Sequence, residues 1–216
     1  MTPERLRPHL EAWLEHGGLG RVHVVHLDGP WSGAEQLLIG DQYVDIHVCP
    51  SELAVREELT RLRTGGLRIG LTVTGPDQAA TIERALAVGG FDAVQATWNL
   101  HERAAEPALA RAHEAGLVVY VKEALANGRL TARGADPALA AAAREQGAGE
   151  DALALAAALA RPWADIVLSG AATVAQLQSN LAARDVAWDD ELERRLAGLV
   201  EAPADYWAAR AALPWN

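Results

Sequence analysis

The sequence predicts an α/β fold built on a parallel sheet, and three observations carry that expectation. Segments with helical periodicity alternate with short β-branched runs, which is the βαβ grammar of parallel strands. Runs such as IGLTV (69–73) and LVVYV (117–121) lack strict apolar–polar alternation, as expected of strands covered on both faces. Half of the 216 residues are hydrophobic and 22% are charged, so the chain carries enough apolar material for a large core and reads as one domain over 1–216.

The elements follow in order. Thr2 and Pro3 suit the cap and first turn of a helix over 3–15, whose apolar face holds Leu6, Leu10, Trp13 and Leu14 before Gly17-Gly18 stops it. Arg21–Leu27 (RVHVVHL) reads as a strand with His23 and His26 on opposite faces. An amphipathic helix over 52–64, closed by Gly65-Gly66, leads to a strand over 67–74. Helix 77–88, strand 91–97, helix 103–115, strand 117–122, helix 149–161 and strand 165–168 continue the pattern. Helices over 173–183, 189–200 and 204–212 complete it.

Two segments break the repeat. Residues 28–50 are too long for a βα loop, and Val44, Ile46 and Val48 alternate with Asp45 and His47 as in a short half-exposed strand. Residues 124–148 form a long loop with one short helix inside it, and long loops after strands in α/β folds carry function.

Charge and cysteine content narrow the function classes. Twenty-nine acidic residues against 19 basic ones give a net charge of −10, with no basic block to bind nucleic acid or an anionic membrane. The single cysteine, Cys49, excludes a disulfide framework and a Cys-based zinc cluster, so no metal site is expected and a reducing cytoplasm suits the chain. Charges throughout residues 1–20 (Glu4, Arg5, Arg7, Glu11, Glu15) do not fit a signal peptide. No uncharged apolar run reaches the roughly 18 residues a membrane-spanning helix needs.

Several side chains stand out. Lys122 is the only lysine and ends an apolar strand, where it either snorkels to solvent or is desolvated and reactive as a base or imine former. His26 ends a strand, where barrel enzymes place catalytic groups, or is a buried histidine bonded to backbone. Asp28 either orients His26 or caps a turn, and the turn is the preferred role. Trp31, Trp98 and Trp207 suit a core better than a pocket.

The stretches FDAVQATWNL (91–100), EAGLVVYVKEALANGRL (114–130) and LARPWADIVLSGAATVAQLQSNLAA (159–183), with the closing PADYWAARAALPWN, resemble the C-terminal part of the aldo/keto reductase superfamily. The resemblance runs from about residue 4 to the end and is weakest over 28–50. It implies a (β/α)8 barrel, a fold of about 250 residues, that transfers hydride between a nicotinamide and a carbonyl or alcohol. The strands correspond to the fourth to eighth of that barrel. The expected fold is therefore an incomplete (β/α)8 TIM-type barrel of five to six parallel strands.

Position by position, the resemblance makes His26 the catalytic histidine. It places Thr72, in Gly70-Leu71-Thr72-Val73, and Gln95 at the nicotinamide carboxamide, with Asn99 nearby. Lys122-Glu123-Ala124-Leu125 stands where the family has a stacking aromatic and a pyrophosphate loop, so Leu125 and Gly128 border the pyrophosphate. Ser169, Gly170, Gln176 and Asn180 match the adenosine-phosphate site, where a glycine and a helix N-terminus admit phosphate. Ala172 and Gln176 are uncharged where a 2′-phosphate-selective member carries a base. The cofactor is accordingly NADP or NAD, or its binding has been lost. The Asp, Tyr and Lys of the family's catalytic set precede the matched region, and Tyr43, Tyr120 and Tyr206 lie in the wrong context for the acid.

Three functions follow. The first is an NAD(P)H-dependent oxidoreductase of a small carbonyl or alcohol, altered in catalysis; the second is a repurposed non-redox enzyme using His26 and Lys122; the third is a non-catalytic assembly subunit. The nearly whole set of cofactor-side motifs favours the first. An unclosed sheet leaves open edges. Self-association, pairing of the 28–50 segment as an extra strand, or a partner chain completing the barrel would each cover them.

Overall fold

Apolar residues recurring at every second position of successive β-runs build the core of the sheet, with helices packed on one face. The computed structural model describes residues 22–26, 35–39, 42–46, 64 and 68–213. Its strands are β1 (Val22–His26), β2 (Glu35–Ile39), β3 (Gln42–Ile46), β4 (Arg68–Thr72), β5 (Ala93–Thr97), β6 (Val118–Lys122) and β7 (Ile166–Val167). They form one sheet in the order β3-β2-β1-β4-β5-β6-β7. From β1 through β4, β5 and β6 to β7 all neighbours are parallel. The hairpin β2–β3 adds antiparallel to the outer side of β1, pairing Val24 with Leu38 and Leu37 with Val44.

This hairpin corrects the expectation for 28–50. The half-exposed strand expected over 44–48 spans 42–46, and a second strand precedes it. Both take part only in antiparallel pairings, so among the described residues the strands of the parallel ladder number five. The segment thereby supplies one of the expected remedies for an open edge, at β1. At the other end β7 is the outermost of the described strands.

The described helices are α1 (Gln78–Val88), α2 (Glu106–Glu114), α3 (Pro137–Glu145), α4 (Glu150–Leu159), α5 (Val174–Leu181), α6 (Asp190–Leu196) and α7 (Pro203–Ala211). Their starts follow local chemistry. Proline occupies the first turn of α2, α3 and α7, where its missing N–H has no helical partner to lose. Asp136 accepts from the amides of Ala138 and Leu139, Asp189 accepts from that of Leu192, and Thr173 with Gln176 forms a capping box. The helix expected over 3–15, and all but Thr64 of the one expected over 52–64, lie outside the described residues. Among the described residues no helix is long and apolar enough to cross a membrane.

The sheet has two unlike faces. Leu71, Val94, Ala96, Val119 and Val121 are completely buried and pack with Ile82 and Ala85 of α1 and with Ala108, Leu109 and Ala112 of α2. On the other face Thr72, Gln95, Tyr120 and Lys122 are only half-buried. Ala93 and Thr97 of the same face are buried, so the expectation of strands covered on both faces holds there only in part. Behind the sheet, α4 is buried over all of Ala152–Ala158, with alanines that let neighbouring elements approach closely.

An ionic cluster ties the helical layer together. Glu193 of α6 accepts hydrogen bonds from Arg103, from Arg161 (2.7 Å) and from the Trp188 indole (2.9 Å). The same two guanidinium groups lie 5.5 and 5.2 Å from the ring centre of Trp98, which is fully buried and donates to Glu106 at 3.0 Å. Burial alone would raise the Glu193 carboxyl, but the hydrogen bonds from Trp188, Arg103 and Arg161 outweigh it and lower it to about 2. A carboxyl depressed in the folded state stabilises it above the ordinary carboxylate range, and that stability is lost as pH falls towards 2. Urea melts between pH 5 and 2.5 should therefore show a loss of about 1–2 kcal/mol that Glu193→Gln abolishes, a figure reduced by the solvent that reaches the side chain; equal pH slopes in both proteins would refute the role.

Candidate functional site

The C-terminal ends of parallel strands leave backbone groups and loops facing one way, and in α/β folds ligands bind there. At this end the inner face carries a short chain of polar groups. Lys122 Nζ donates to Thr72 Oγ1 at 3.2 Å, and Thr72 Oγ1 donates to Gln95 Oε1 at 2.9 Å. The register places His26 beside Thr72 and Thr72 beside Gln95, so three strands contribute to one row.

The chain leaving β6 is sharply bent. Glu123 (φ 55°), Ala126 (φ 47°) and Asn127 (φ 54°) adopt the left-handed region without being glycine, followed by Gly128 at φ 92°. Each such non-glycine residue costs about 1–2 kcal/mol, so the surroundings must hold it. Arg210 Nε donates to both Glu123 carboxylate oxygens, at 3.0 and 2.9 Å. Thr131 Oγ1 donates to the Gly128 carbonyl at 2.8 Å, and a Cβ on Gly134 would sit 1.8 Å from the Arg129 carbonyl oxygen. Only glycine fits there.

This loop forms one wall of a cleft of about 760 Å³, a volume ordinary for a small-molecule or cofactor site. Residues 122–125, 127–128 and 131–133 line that wall, and 149–151, 168–171, Gln176, Ser179 and Asn180 line the other. Asn180 Nδ2 donates to the Ser169 carbonyl at 3.0 Å, which ties the loop after β7 to α5, and Gly170 takes φ 63° to make the turn.

Of the residues singled out from sequence, Lys122, Leu125, Gly128, Ser169, Gly170, Gln176 and Asn180 all border the cleft. Thr72 and Gln95 join it through Lys122. Of His26 only its place in the β1–β4 register is described. Tyr43 belongs to β3, two strands beyond β1. Trp98 and Trp207 are buried, as a core role requires, whereas Trp31 and Asp28 lie outside the described residues. Sequence reasoning missed Thr131, Arg133, Glu150, Asp151 and Ser179, which also line the cleft. Glu150 and Asp151 directly after Gly149, at a helix start, were the one available signal.

Comparison with known proteins locates this architecture. A family model described as the BREX system PglZ N-terminal domain matches residues 2–73, a stretch that lies mostly outside the described residues; nothing in the fold accounts for that match. No curated protein matches the chain. Among solved structures, a thermostable aldo-keto reductase, Tm1743, in complex with the inhibitor epalrestat aligns with TM-score 0.67 and 20% identity over 92% of this chain and 67% of that one. The aldo-keto reductase AKR11C1 from Bacillus halodurans in its holo form aligns with TM-score 0.57 and 20% identity over 71% of this chain and 55% of that one. A protein assigned as 2,5-diketo-D-gluconic acid reductase B gives TM-score 0.58 and 23% identity over 72% and 55%. The chain thus spans between about half and two thirds of these proteins and has part of the aldo-keto reductase barrel fold.

Asn99 does not open into the cleft but lies beneath it, fully buried. Its Nδ2 donates to the Glu123 carbonyl (2.9 Å) and to Tyr206 Oη (3.0 Å), while its Oδ1 accepts from the amides of His101 (2.9 Å) and Glu102 (3.0 Å). Tyr206 is buried as well, and burial pushes its phenol up to about 12, so it holds its proton at neutral pH. Asn99→Ala removes four bonds and leaves buried partners unpaired; a loss of about 2–4 kcal/mol is expected in urea denaturation. A loss below about 0.5 kcal/mol would show that the amide does not hold the cleft loop.

Proposed function

We propose that this chain provides the coenzyme-binding part of an NAD(P)H-dependent oxidoreductase acting on a small carbonyl or alcohol. The carrying observation is the cleft beyond β6 and β7, bordered by six of the residues that the sequence resemblance assigns to the coenzyme and by Lys122. The residues there fit a dinucleotide. Lys122 and Arg133 offer cationic donors for a diphosphate, the glycines at 128 and 170 allow close backbone approach, and Ser169 and Ser179 offer hydroxyls. A bound nicotinamide would supply the hydride.

The chain's own groups would do the rest. Gln95, whose oxygen accepts from Thr72, keeps its amide N–H groups to donate to a carboxamide. Lys122 fixes the Thr72 hydroxyl and presents positive charge at the end of the sheet. In this reading His26, in register with Thr72, polarises the substrate carbonyl. Tyr206, buried and hydrogen-bonded to Asn99, is excluded as the proton donor, and in this reading the acid comes from another chain or from the 28–50 segment.

Titration of the purified protein with NADH and NADPH, followed by tryptophan fluorescence and calorimetry, tests the reading. Micromolar binding of at least one coenzyme is expected, weakened about tenfold or more by Gln95→Ala and by Lys122→Met with the circular dichroism unchanged. No binding at millimolar coenzyme would overturn the proposal.

We propose also that a second copy of the chain covers the β7 side. Val174, Leu177 and Leu181 of α5 are 73%, 46% and 52% exposed and share one helical stripe, and Ile166 and Leu168 at β7 are exposed as well. Light scattering at micromolar concentration should give a dimer mass that falls to the monomer with Leu177→Glu; a monomer in the unaltered protein would refute it.

A further inference from the structure

We infer that the cleft selects NAD(H) over NADP(H), with Glu150 and Asp151 as the side chains that accept the unesterified ribose and repel a 2′-phosphate. This rests on the dinucleotide reading above and adds its specificity.

Charge is divided between the two walls. The cations that border the cleft, Lys122 and Arg133, belong to the β6 end and the loop after it. Arg133 Nη1 lies 3.7 Å from where a Cβ on Gly128 would stand. The opposite wall is built from the first turns of α4 and α5, and no lysine or arginine lines it. It carries two carboxylates instead.

The position of one carboxylate depends on a glycine. A Cβ on Gly149 would sit 2.5 Å from Asp151 Oδ1 and 3.6 Å from Ser179 Oγ, so the absent side chain is what lets the carboxylate fold back beside that hydroxyl. Glu123, the remaining acid at the cleft, is already matched by Arg210.

A helix N-terminus ordinarily attracts phosphate through free backbone N–H groups. At α5 those groups are engaged in part. Gln176 Oε1 accepts from the amides of Ala172 (2.9 Å) and Thr173 (3.1 Å), and Thr173 Oγ1 accepts from the amide of Gln176 (3.2 Å). At α4 the first turn holds Glu150 and Asp151, whose charge opposes the positive end of the helix dipole. A 2′-phosphate, nearly dianionic at neutral pH, would meet two carboxylates with no guanidinium to offset them. A ribose diol meets good acceptors, and a carboxylate is a strong partner for sugar hydroxyls.

Dissociation constants for NADH and NADPH, measured by fluorescence titration on the full chain, test the inference. NADH should bind at least tenfold tighter. Glu150→Gln and Asp151→Asn, made separately and together, should shrink that ratio to threefold or less, chiefly by strengthening NADPH, with unchanged circular dichroism. Equal or tighter binding of NADPH by the unaltered protein, or a ratio that neither variant moves, would overturn the specificity while leaving the dinucleotide site standing. Binding of neither coenzyme would overturn both.

Discussion

The amide of Asn99 holds the cleft in place. It joins three stretches that are far apart in sequence: the turn at 101–102, the carbonyl of Glu123 where the chain leaves β6, and the hydroxyl of Tyr206 in α7. The residues it fixes at Glu123 begin a run of left-handed conformations that no isolated loop would keep. A second clamp works from the same helix, because Arg210 binds the Glu123 carboxylate while its guanidinium lies 5.3 Å from the Trp207 ring centre. Arg129, inside the loop, likewise pairs with Glu201 and lies 5.7 Å from the ring of Tyr206. Helix α7 thus acts as a brace for a loop that lies 87 residues earlier at the Glu123–Arg210 pair, and the cleft wall inherits its shape from that brace.

The sheet has its own recurring device. Asp92, just before β5, accepts from the Ile69 amide at 2.8 Å, and Asp165, just before β7, accepts from the Val119 amide at 2.8 Å. In each case an aspartate at the entry of one strand satisfies the first free donor of its neighbour. The two bonds set the stagger of β4 against β5 and of β6 against β7, and with it the height at which the strands end. That height decides that Thr72, Gln95 and Lys122 meet at one end of the inner face.

Much of this was legible in the sequence, and the reasons are specific. Gly65-Gly66, Gly89-Gly90 and Gly116 punctuate the repeat, so strands β4, β5 and β6 and helices α1, α2 and α4 fall within a few residues of their expected bounds. The helix expected to begin at 103 begins at Glu106, because the Asn99 side chain and the Glu102 carboxylate, which accepts from the Ala104 amide at 2.8 Å, stabilise a turn over the preceding residues. The β2–β3 hairpin was half hidden: its first strand, EQLLI, lacks a periodicity that distinguishes strand from helix over five residues. Asn99 shows a limit of another kind. Its motif pointed to the coenzyme side, but a buried amide with four partners is indistinguishable in sequence from one that faces a ligand.

The acidic composition takes on a meaning at the cleft that it lacked as a bulk number. A net charge of −10 disfavours any polyanion, yet a dinucleotide needs only local cations where its diphosphate lies. The cleft has them sparingly, with the one lysine at the end of β6 and an arginine folded over Gly128, while most of the other described arginines pair with Glu83, Glu123, Glu145, Glu191, Glu193 and Glu201. Pairing of that kind removes positive charge from the surface and leaves the field inside the cleft to a few groups. With three amides at the start of α5 engaged by Thr173 and Gln176, and with Glu150 and Asp151 at the α4 end, the side-chain cations of the cleft all stand on the wall that carries Lys122 and Arg133.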